Sequence, residues 1–206
     1  MTEKRNRVAE HYFAALPKSE TKLGLIRTIL RGTSFEFLTA SSVFSKKQVD
    51  LGTRLLIEAM VLPEAGAVLD MGCGYGAVGI TVAASNPRLR VIMTDVNVRA
   101  VRLAKQNAQK NKARNTEVRC GYLYEPVKDL KFNCVLSNPP VSAGMKIVKA
   151  LITQAPQVMT REATFQMVIR SKIGAKKLPL VFNAAFGNCS VLARKSGYRV
   201  LLAKKS

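Results

Sequence analysis

The sequence predicts an α/β fold: a doubly wound, mostly parallel sheet of seven strands, with a C-terminal antiparallel hairpin and a small N-terminal β-hairpin extension. Three observations carry this expectation. From residue 67 onwards, short apolar runs alternate with stretches of helical periodicity, which demands parallel strands with helices on both faces. Residues 67–79, Ala-Val-Leu-Asp-Met-Gly-Cys-Gly-Tyr-Gly-Ala-Val-Gly, read as a buried strand, a tight turn and a helix N-terminus. Near the end of the chain, Lys195-Ser196-Gly197 separates two apolar runs, a closing hairpin that forces one antiparallel strand into the sheet.

At the N-terminus, residues 1 to about 20 are polar and basic, with Tyr12, Phe13 and Leu16 available to pack on the domain. Ile26, Thr28 and Leu30 alternate, Arg31-Gly32-Thr33 makes a turn, and Phe35, Phe37 and Thr39 alternate again, which reads as a β-hairpin with a basic rim at Arg27 and Arg31. A loop through Lys46 and Lys47 runs into a helix holding Leu55, Leu56, Ala59 and Met60, capped by Asp50 or Thr53 and stopped before Pro63. No Pro-, Gly- or Ser-rich linker separates this helix from the glycine turn, so residues 1–60 are expected to form an extension docked on a domain of residues 61–206. Beyond it lie strands at 67–70, 91–95, 117–120, 133–137 and 165–170, with helices near 76–85, 97–111, 145–158 and 174–186.

The bulk composition bounds the partners. The chain has 206 residues, enough for one good core, and is 48% hydrophobic. With 33 Lys+Arg against 13 Asp+Glu the formal charge is +20, so polyanions should bind even without specificity, and nucleic acid is the expected partner. A membrane surface fits less well, because no amphipathic helix stands out with Lys and Arg along one face, and the longest uncharged stretch, Met71 to Pro87, is glycine-rich. Cys73, Cys120, Cys134 and Cys189 are widely spaced with no Cys-x-x-Cys pair, which predicts reduced thiols, a cytoplasmic compartment and no zinc site. A single histidine, His11, cannot build a metal site alone.

The glycine stretch admits two ligands. Gly74-Tyr75-Gly76-Ala77-Val78-Gly79 fits the dinucleotide fingerprint, a weak signal by itself. Asp70-x-Gly72-x-Gly74-x-Gly76 resembles instead the first motif of class I S-adenosylmethionine (SAM) methyltransferases. Asp70 separates them, because a carboxylate suits a ligand bearing an ammonium and a sulfonium and repels a pyrophosphate. The glycines let the backbone turn and a ligand lie against it, and the first N–H groups of the following helix are expected to be free donors. Asp70, Asp95 and Asn138 all fall at predicted strand ends, where open parallel sheets bind ligands. Asp95 can accept two ribose hydroxyls or cap the next helix. Asn138-Pro139-Pro140 builds a rigid turn in which the Asn138 oxygen and the Pro139 carbonyl can point at one spot. Two acceptors there suit an exocyclic amine: holding both hydrogens favours a pyramidal nitrogen with its lone pair freed toward a methyl group.

Taken together, Asp70-Met-Gly-Cys-Gly-Tyr-Gly, Asp95 and Asn138-Pro-Pro are similar to the amino-methylating class I methyltransferases. Adding Phe44-Ser45, Asp50-x-Gly52-Thr53, Ala143-Gly144 and Gly197-Tyr-Arg199-Val, the chain resembles the "methyltransferase small" domain over roughly residues 10–204. That domain is the catalytic half of bacterial ribosomal RNA guanine-N2 methyltransferases and also occurs as single-domain archaeal proteins, the form this chain resembles most. The resemblance implies a Rossmann-like methyltransferase sheet. It implies that Asp70, Gly72 and Gly74, with Cys73 and Gly76, hold the methionine end of SAM, that Asp95 and Val96 hold the ribose, and that the Asp50–Thr53 turn closes over the amino acid moiety. Asn138, Pro139 and Pro140 would hold the target amine. Two departures stand out. Val141 follows Asn-Pro-Pro where many relatives carry an aromatic, so stacking on the base falls to Phe44 or Phe35 or is weaker, which leaves the base identity open. The loop Cys120-Gly-Tyr122-Leu123-Tyr124 lacks the acid that often reads adenine, leaving Tyr122, Leu123 or a backbone carbonyl.

The reaction expected is in-line attack of nitrogen on the SAM methyl, with no metal and no strong base. A base must leave its stack to reach such a site, so single strands, loops or assembly intermediates are the expected substrates. Arg170 and Lys172 lie just past a strand and so should be near the active rim, with Lys46, Lys47, Lys176, Lys177, Arg194, Lys195 and Arg199 as further RNA contacts, whereas the Arg99–Arg119 cluster reads as a solvated helix face. Ribosomal RNA guanine N2 is the first target. A protein glutamine, a DNA amino group, or a non-catalytic assembly role on the same fold are the rivals.

Overall fold

The structure, a computed structural model, describes residues 23–40, 43, 45, 48–139, 144–172 and 177–206. The expectations for His11, Tyr12, Phe13, Leu16, Phe44, Lys46, Lys47, Pro140, Val141 and Lys176 lie outside these residues.

Strands β1 (Leu23–Leu30) and β2 (Thr33–Ala40) pair antiparallel around a turn one residue shorter than the sequence suggested. Arg31 and Gly32 both take positive φ (46° and 77°), as a two-residue hairpin turn of the primed type requires. Helix α1 (Leu51–Ala59) is capped by Asp50, which settles the choice against Thr53: the carboxylate accepts from the amides of Gly52 at 2.9 Å and Thr53 at 3.2 Å.

The main sheet then unfolds as β3 (Gly66–Met71), α2 (Ala77–Ser85), β4 (Leu89–Asp95), α3 (Val98–Lys110), β5 (Thr116–Cys120), β6 (Phe132–Ser137), α4 (Met145–Gln154), β7 (Met159–Arg170), α5 (Lys177–Phe186), β8 (Ser190–Lys195) and β9 (Tyr198–Lys204). The strand order is β5–β4–β3–β6–β7–β9–β8, with β9 antiparallel to both neighbours. The chain steps outward from β3 to β5, then returns to the other side of β3 with β6. The order therefore reverses between β3 and β6, the place where a parallel sheet opens a crevice beyond its strand ends.

Two elements differ from expectation. The helix expected over 145–158 ends at Gln154 and tightens into a 3₁₀ turn, Ala155–Val158, because Pro156 cannot continue an α-helical ladder. Strand β7 starts six residues early, at Met159 rather than 165. The polar Thr160-Arg161-Glu162 hid it. Pairing with β6 shifts register between Phe132 and Cys134, and Glu162 sits at φ 64°, the marks of a bulge that lets a polar stretch belong to a strand.

Side chains alternate across the sheet, as period-two strands must. Val68, Val91, Met93, Cys134 and Leu136 face a core shared with α1, α2, α3 and the hairpin, while Leu69, Ile92, Val135 and Phe165 face one shared with α4 and α5. Helix α2 is buried on nearly every side, and Gly79 permits this: a Cβ there would come within 2.5 Å of Met93. Helix α3 carries a solvated basic face, as expected for the Arg99–Arg119 cluster, and corrects the expectation that no amphipathic helix with Lys and Arg along one face stands out. It buries Ala100, Val101, Leu103, Ala104 and Ala108 and exposes Arg102, Lys105 and Lys110. Its apolar face is already spent on the sheet and hairpin, and no helix among the described residues is long and apolar enough to cross a membrane.

Buried amides attach the N-terminal elements to the sheet. Asn107 on α3 is fully buried; its oxygen accepts from Leu38 N at 2.7 Å while its nitrogen donates to Leu38 O at 2.9 Å and to Tyr75 O at 2.8 Å. One turn later, Asn111 pairs the same way with Glu36 N and O (3.1 and 2.8 Å). Gln166 on β7 does so with Val61 N and O (3.0 and 2.6 Å). Each amide mimics a neighbouring strand, satisfying an edge or connector backbone that would otherwise be buried unpaired.

Candidate active site

The crevice between β3 and β6 is a cleft of about 1000 Å³ including its open mouth, a size that suits a nucleoside-sized ligand. Its floor is the glycine turn after β3. The amides of Gly72 and Cys73 both donate to Thr94 O at 2.9 Å, and Gly74 N donates to Asp95 Oδ2 at 2.9 Å. Gly72 and Gly74 hold φ of 73° and 58°, and a Cβ on either would meet no protein atom within 4 Å. The glycines therefore leave space as well as permitting the turn. The expected free donors at the start of α2 are only partly free, because Gly76 N is spent on Cys73 O and Gly79 N on Asp70.

Two carboxylates line this cleft, and no Lys or Arg among the described residues pairs with either. Asp70, at the end of β3, is 2% exposed and accepts from Gly79 N at 2.8 Å. Burial pushes its carboxyl up to about 7, the Gly79 amide opposes this, and the negative charge of Asp95 adds to it. Asp95, at the end of β4, accepts from Gly74 N at 2.9 Å and Asn97 N at 2.8 Å. Burial raises it too, against the backbone amides of Asn97, Gly74 and Val96. It does not cap α3; Asn97 does, accepting from Arg99 N and Ala100 N. An anionic ligand is disfavoured here and a cationic one is favoured by the same electrostatics. A buried carboxylate without a cation, beside glycines whose missing side chains leave room, fits the amino acid end of SAM.

Asn138, just past β6, closes the opposite wall. Its Nδ2 donates to Thr53 Oγ1 at 2.8 Å and lies 3.4 Å from Asp50 Oδ2, while the Thr53 hydroxyl donates to Asp50. Thus Thr53, expected at the cofactor, lines the cleft and also grips Asn138. With Nδ2 engaged, Oδ1 is the amide atom left for a ligand.

The cleft brings together Thr53, Asp70, Gly72, Cys73, Gly74, Asp95, Val96, Tyr122, Leu123, Asn138 and Pro139 from the sequence-derived set. Gly76 stands behind it as the N-cap of α2, packed toward Ile80 and Met93. Arg170, the last residue of β7, and Lys172, just past it, are exposed; β7 is the parallel neighbour of β6, so they share its rim without lining the cleft. Arg199 is only 9% exposed within β9 and also stands apart. Phe35 cannot stack on a base: it is 3% exposed and stacked on Phe37 inside the hairpin, at a centroid distance of 5.6 Å. Sequence reasoning missed further lining residues, among them Thr94, Ser137, Ile147 and Leu151. The last two form an i, i+4 apolar pair on α4, a pattern readable in the sequence but indistinguishable there from core.

Comparison with known proteins agrees with this geometry. Residues 34–202 match the methyltransferase small domain. The chain belongs to that family. A relative in Bacillus subtilis (strain 168), the uncharacterized protein YbxB, is 36% identical over 200 residues, 96% of this chain and 100% of its own length. The ribosomal RNA small subunit methyltransferase C of Vibrio vulnificus (strain CMCP6) is 30% identical over 85% of this chain but 51% of its own length. The chain thus spans about half of the small subunit methyltransferase C relatives it matches. Among solved structures, the T. Thermophilus 16S rRNA N2 methyltransferase RsmC, in complex with AdoMet and guanosine, superposes with a TM-score of 0.81 over 92% of this chain and 52% of its own, at 22% identity. The fold is that of the Rossmann-like methyltransferases, and the family's methyl donor is S-adenosylmethionine.

Proposed function

We propose that this small-domain methyltransferase transfers a methyl group from SAM to the exocyclic amine of an RNA base, with guanine N2 in ribosomal RNA as the first target. The observation that carries the reading is the fixed amide of Asn138, held through Nδ2 so that an acceptor oxygen is left beside the cofactor cleft. The names of the Vibrio and Thermus relatives favour ribosomal RNA, and a net charge of +20 suits a polyanion.

When bound, SAM supplies a methyl group already activated on a sulfonium. The chain's own residues do the rest by position. Asp70 balances the positive charge of the amino acid end. Asp95, whose oxygens already accept from Gly74 N and Asn97 N, keeps lone-pair capacity for a ribose hydroxyl. Tyr122 and Leu123 flank the adenine. Asn138 Oδ1 and the Pro139 carbonyl accept the two hydrogens of the target amine, which discourages delocalisation of its lone pair and aims it at the methyl. Arg170 and Lys172 meet the RNA backbone at the rim. Positioning and electrostatics account for the catalysis, with no strong base and no metal required. The compartment is the cytoplasm, where ribosomal RNA is made and the four free thiols remain reduced.

The test is to incubate the protein with methyl-labelled SAM and total RNA from cells lacking its gene, then identify the labelled nucleoside. N2-methylguanosine is the expected product. Label confined to protein would move the substrate to a side-chain amide, and label in DNA alone would overturn the RNA reading.

A further inference from the structure

The amide of an asparagine is nearly symmetric in shape and opposite in chemistry at its two ends. Rotated by half a turn, Asn138 would present two N–H donors to an amine and could hold neither of its hydrogens. Something must fix the orientation, and the relevant contacts come from a distant segment. Asp50 is fixed first: as N-cap of α1, its Oδ1 accepts from Gly52 N and Thr53 N at 2.9 and 3.2 Å. Its other oxygen accepts the Thr53 hydroxyl. Because that hydroxyl's one proton is committed to Asp50, Thr53 Oγ1 can offer Asn138 only a lone pair, and it accepts from Nδ2 at 2.8 Å. Asp50 Oδ2 lies 3.4 Å from the same nitrogen. Thr53 is 7% exposed, so water competes little for these bonds.

We infer that Asp50 and Thr53 form a positioning pair that sets the orientation of the Asn138 amide and polarises it, so that Oδ1 faces the target nitrogen as a strengthened acceptor. The inference rests on the amine-methylation reading above. The carboxylate contributes charge as well as geometry. Electron density drawn toward Oδ1 by acceptors at Nδ2 makes that oxygen a better partner for a nitrogen gaining positive charge, and hydrogen bonds in a chain reinforce one another in this way. Helix α1 thereby enters the mechanism: its N-terminal turn anchors Asp50, and Asp50 anchors the amide 88 residues further along the chain. Thr53 acts through Asn138 and need not touch the methyl donor.

Thr53→Val keeps the shape and removes the hydroxyl; Thr53→Ser restores it; Asp50→Asn removes the charge while leaving a side chain able to cap. In single-turnover transfer to RNA at saturating SAM, Thr53→Val should slow the step by about 10- to 100-fold, the range seen when outer partners of a metal ligand are removed. Thr53→Ser should restore most of the rate, and the loss in Thr53→Val should persist at saturating SAM whatever its calorimetric SAM affinity. Asp50→Asn should lie between wild type and Thr53→Val. If Thr53→Val instead weakened SAM binding and left the saturated rate intact, Thr53 would be a cofactor contact and the inference wrong. Equal loss in the Val and Ser variants would also overturn it. A second readout needs no substrate. In protein loaded with S-adenosylhomocysteine, the Asn138 side-chain amide protons, identified by their disappearance in Asn138→Ala, should exchange slowly with solvent and should exchange at least about tenfold faster in Thr53→Val. Unchanged protection would refute the pair even if wild-type protein labelled no RNA, a result that would separately overturn the RNA reading.

Discussion

At the scale of single residues, the site works by leaving particular valences open. Asp70 is a buried carboxyl with no cationic partner among the described residues, and burial lifts it from 3.8 to about 7. The folded, ligand-free state therefore holds the proton more tightly than the unfolded chain, so Asp70 contributes stability that is complete below about pH 4 and lost as pH rises to about 7. A bound cation reverses the preference, favouring the ionised form. SAM affinity should therefore rise with pH up to about 7 and then level, by at most tenfold per unit. Calorimetric titrations of wild type and Asp70→Asn should differ by this rise, and parallel curves would remove Asp70 from cofactor binding. Asn138→Ala, by contrast, should leave SAM affinity intact and cost a hundredfold or more in transfer rate, as deletion of one preorganised polar partner costs roughly 2.7–4 kcal/mol elsewhere. Near-normal turnover would exclude the role given to Asn138.

Elements acquire their functions through contacts that small or polar residues permit. Gly79 lets α2 approach β4 closely enough for its own amide to reach Asp70; an added Cβ would lie 2.5 Å from Met93 Cγ and 3.2 Å from Asp70 Oδ2. Gly79→Ala should thus lower both stability and SAM affinity, measured by thermal unfolding with and without cofactor; a shift in neither would show that the helix yields freely. The amide clamps make a separate prediction. Asn107→Ala leaves the Leu38 amide and carbonyl and the Tyr75 carbonyl without their partner, in a region packed by Phe37 and Tyr75, whose ring centroids are 5.6 Å apart. Leaving such groups unpaired should cost roughly 2–4 kcal/mol, visible as a lower urea midpoint at constant m-value. Asn107 grips both the hairpin, at Leu38, and the glycine turn, at Tyr75, so the hairpin's attachment is polar as well as apolar.

Across the whole molecule, charge and the direction of the sheet determine how a large substrate can meet a small cleft. The sheet points β3, β4 and β6 at one rim, and β7 continues past it to Arg170, whose guanidinium donates to the Tyr198 hydroxyl at 3.1 Å and sits 5.5 Å from its ring centre. On the proposed reading, Arg170 and Lys172 meet phosphates on the strand that delivers the target base. Each phosphate neutralised on single-stranded RNA contributes about −0.7 to the slope of log affinity against log salt. Replacing both residues with Glu should therefore shallow that slope by about 1.4 while leaving SAM affinity alone; an unchanged slope would place the RNA path elsewhere, with the exposed Arg102 and Lys105 of α3 the next residues to reverse.

The sequence by itself determined the alternation of strands and helices, the two hairpins, the glycine turn and the three polar strand ends, because each is written in neighbouring residues: period-two apolar runs, turn residues, and a carboxylate or amide where a strand stops. Only the tertiary structure decided that Thr53 belongs to Asn138, that Gly79 serves Asp70, that Asn107, Asn111 and Gln166 hold the N-terminal elements, and that Phe35 is buried. It also moved the start of β7 across a polar stretch that its bulge accommodates. These pairings join residues far apart in the chain, and a hydrogen bond's partner is set by where the backbone carries it, which no local pattern encodes.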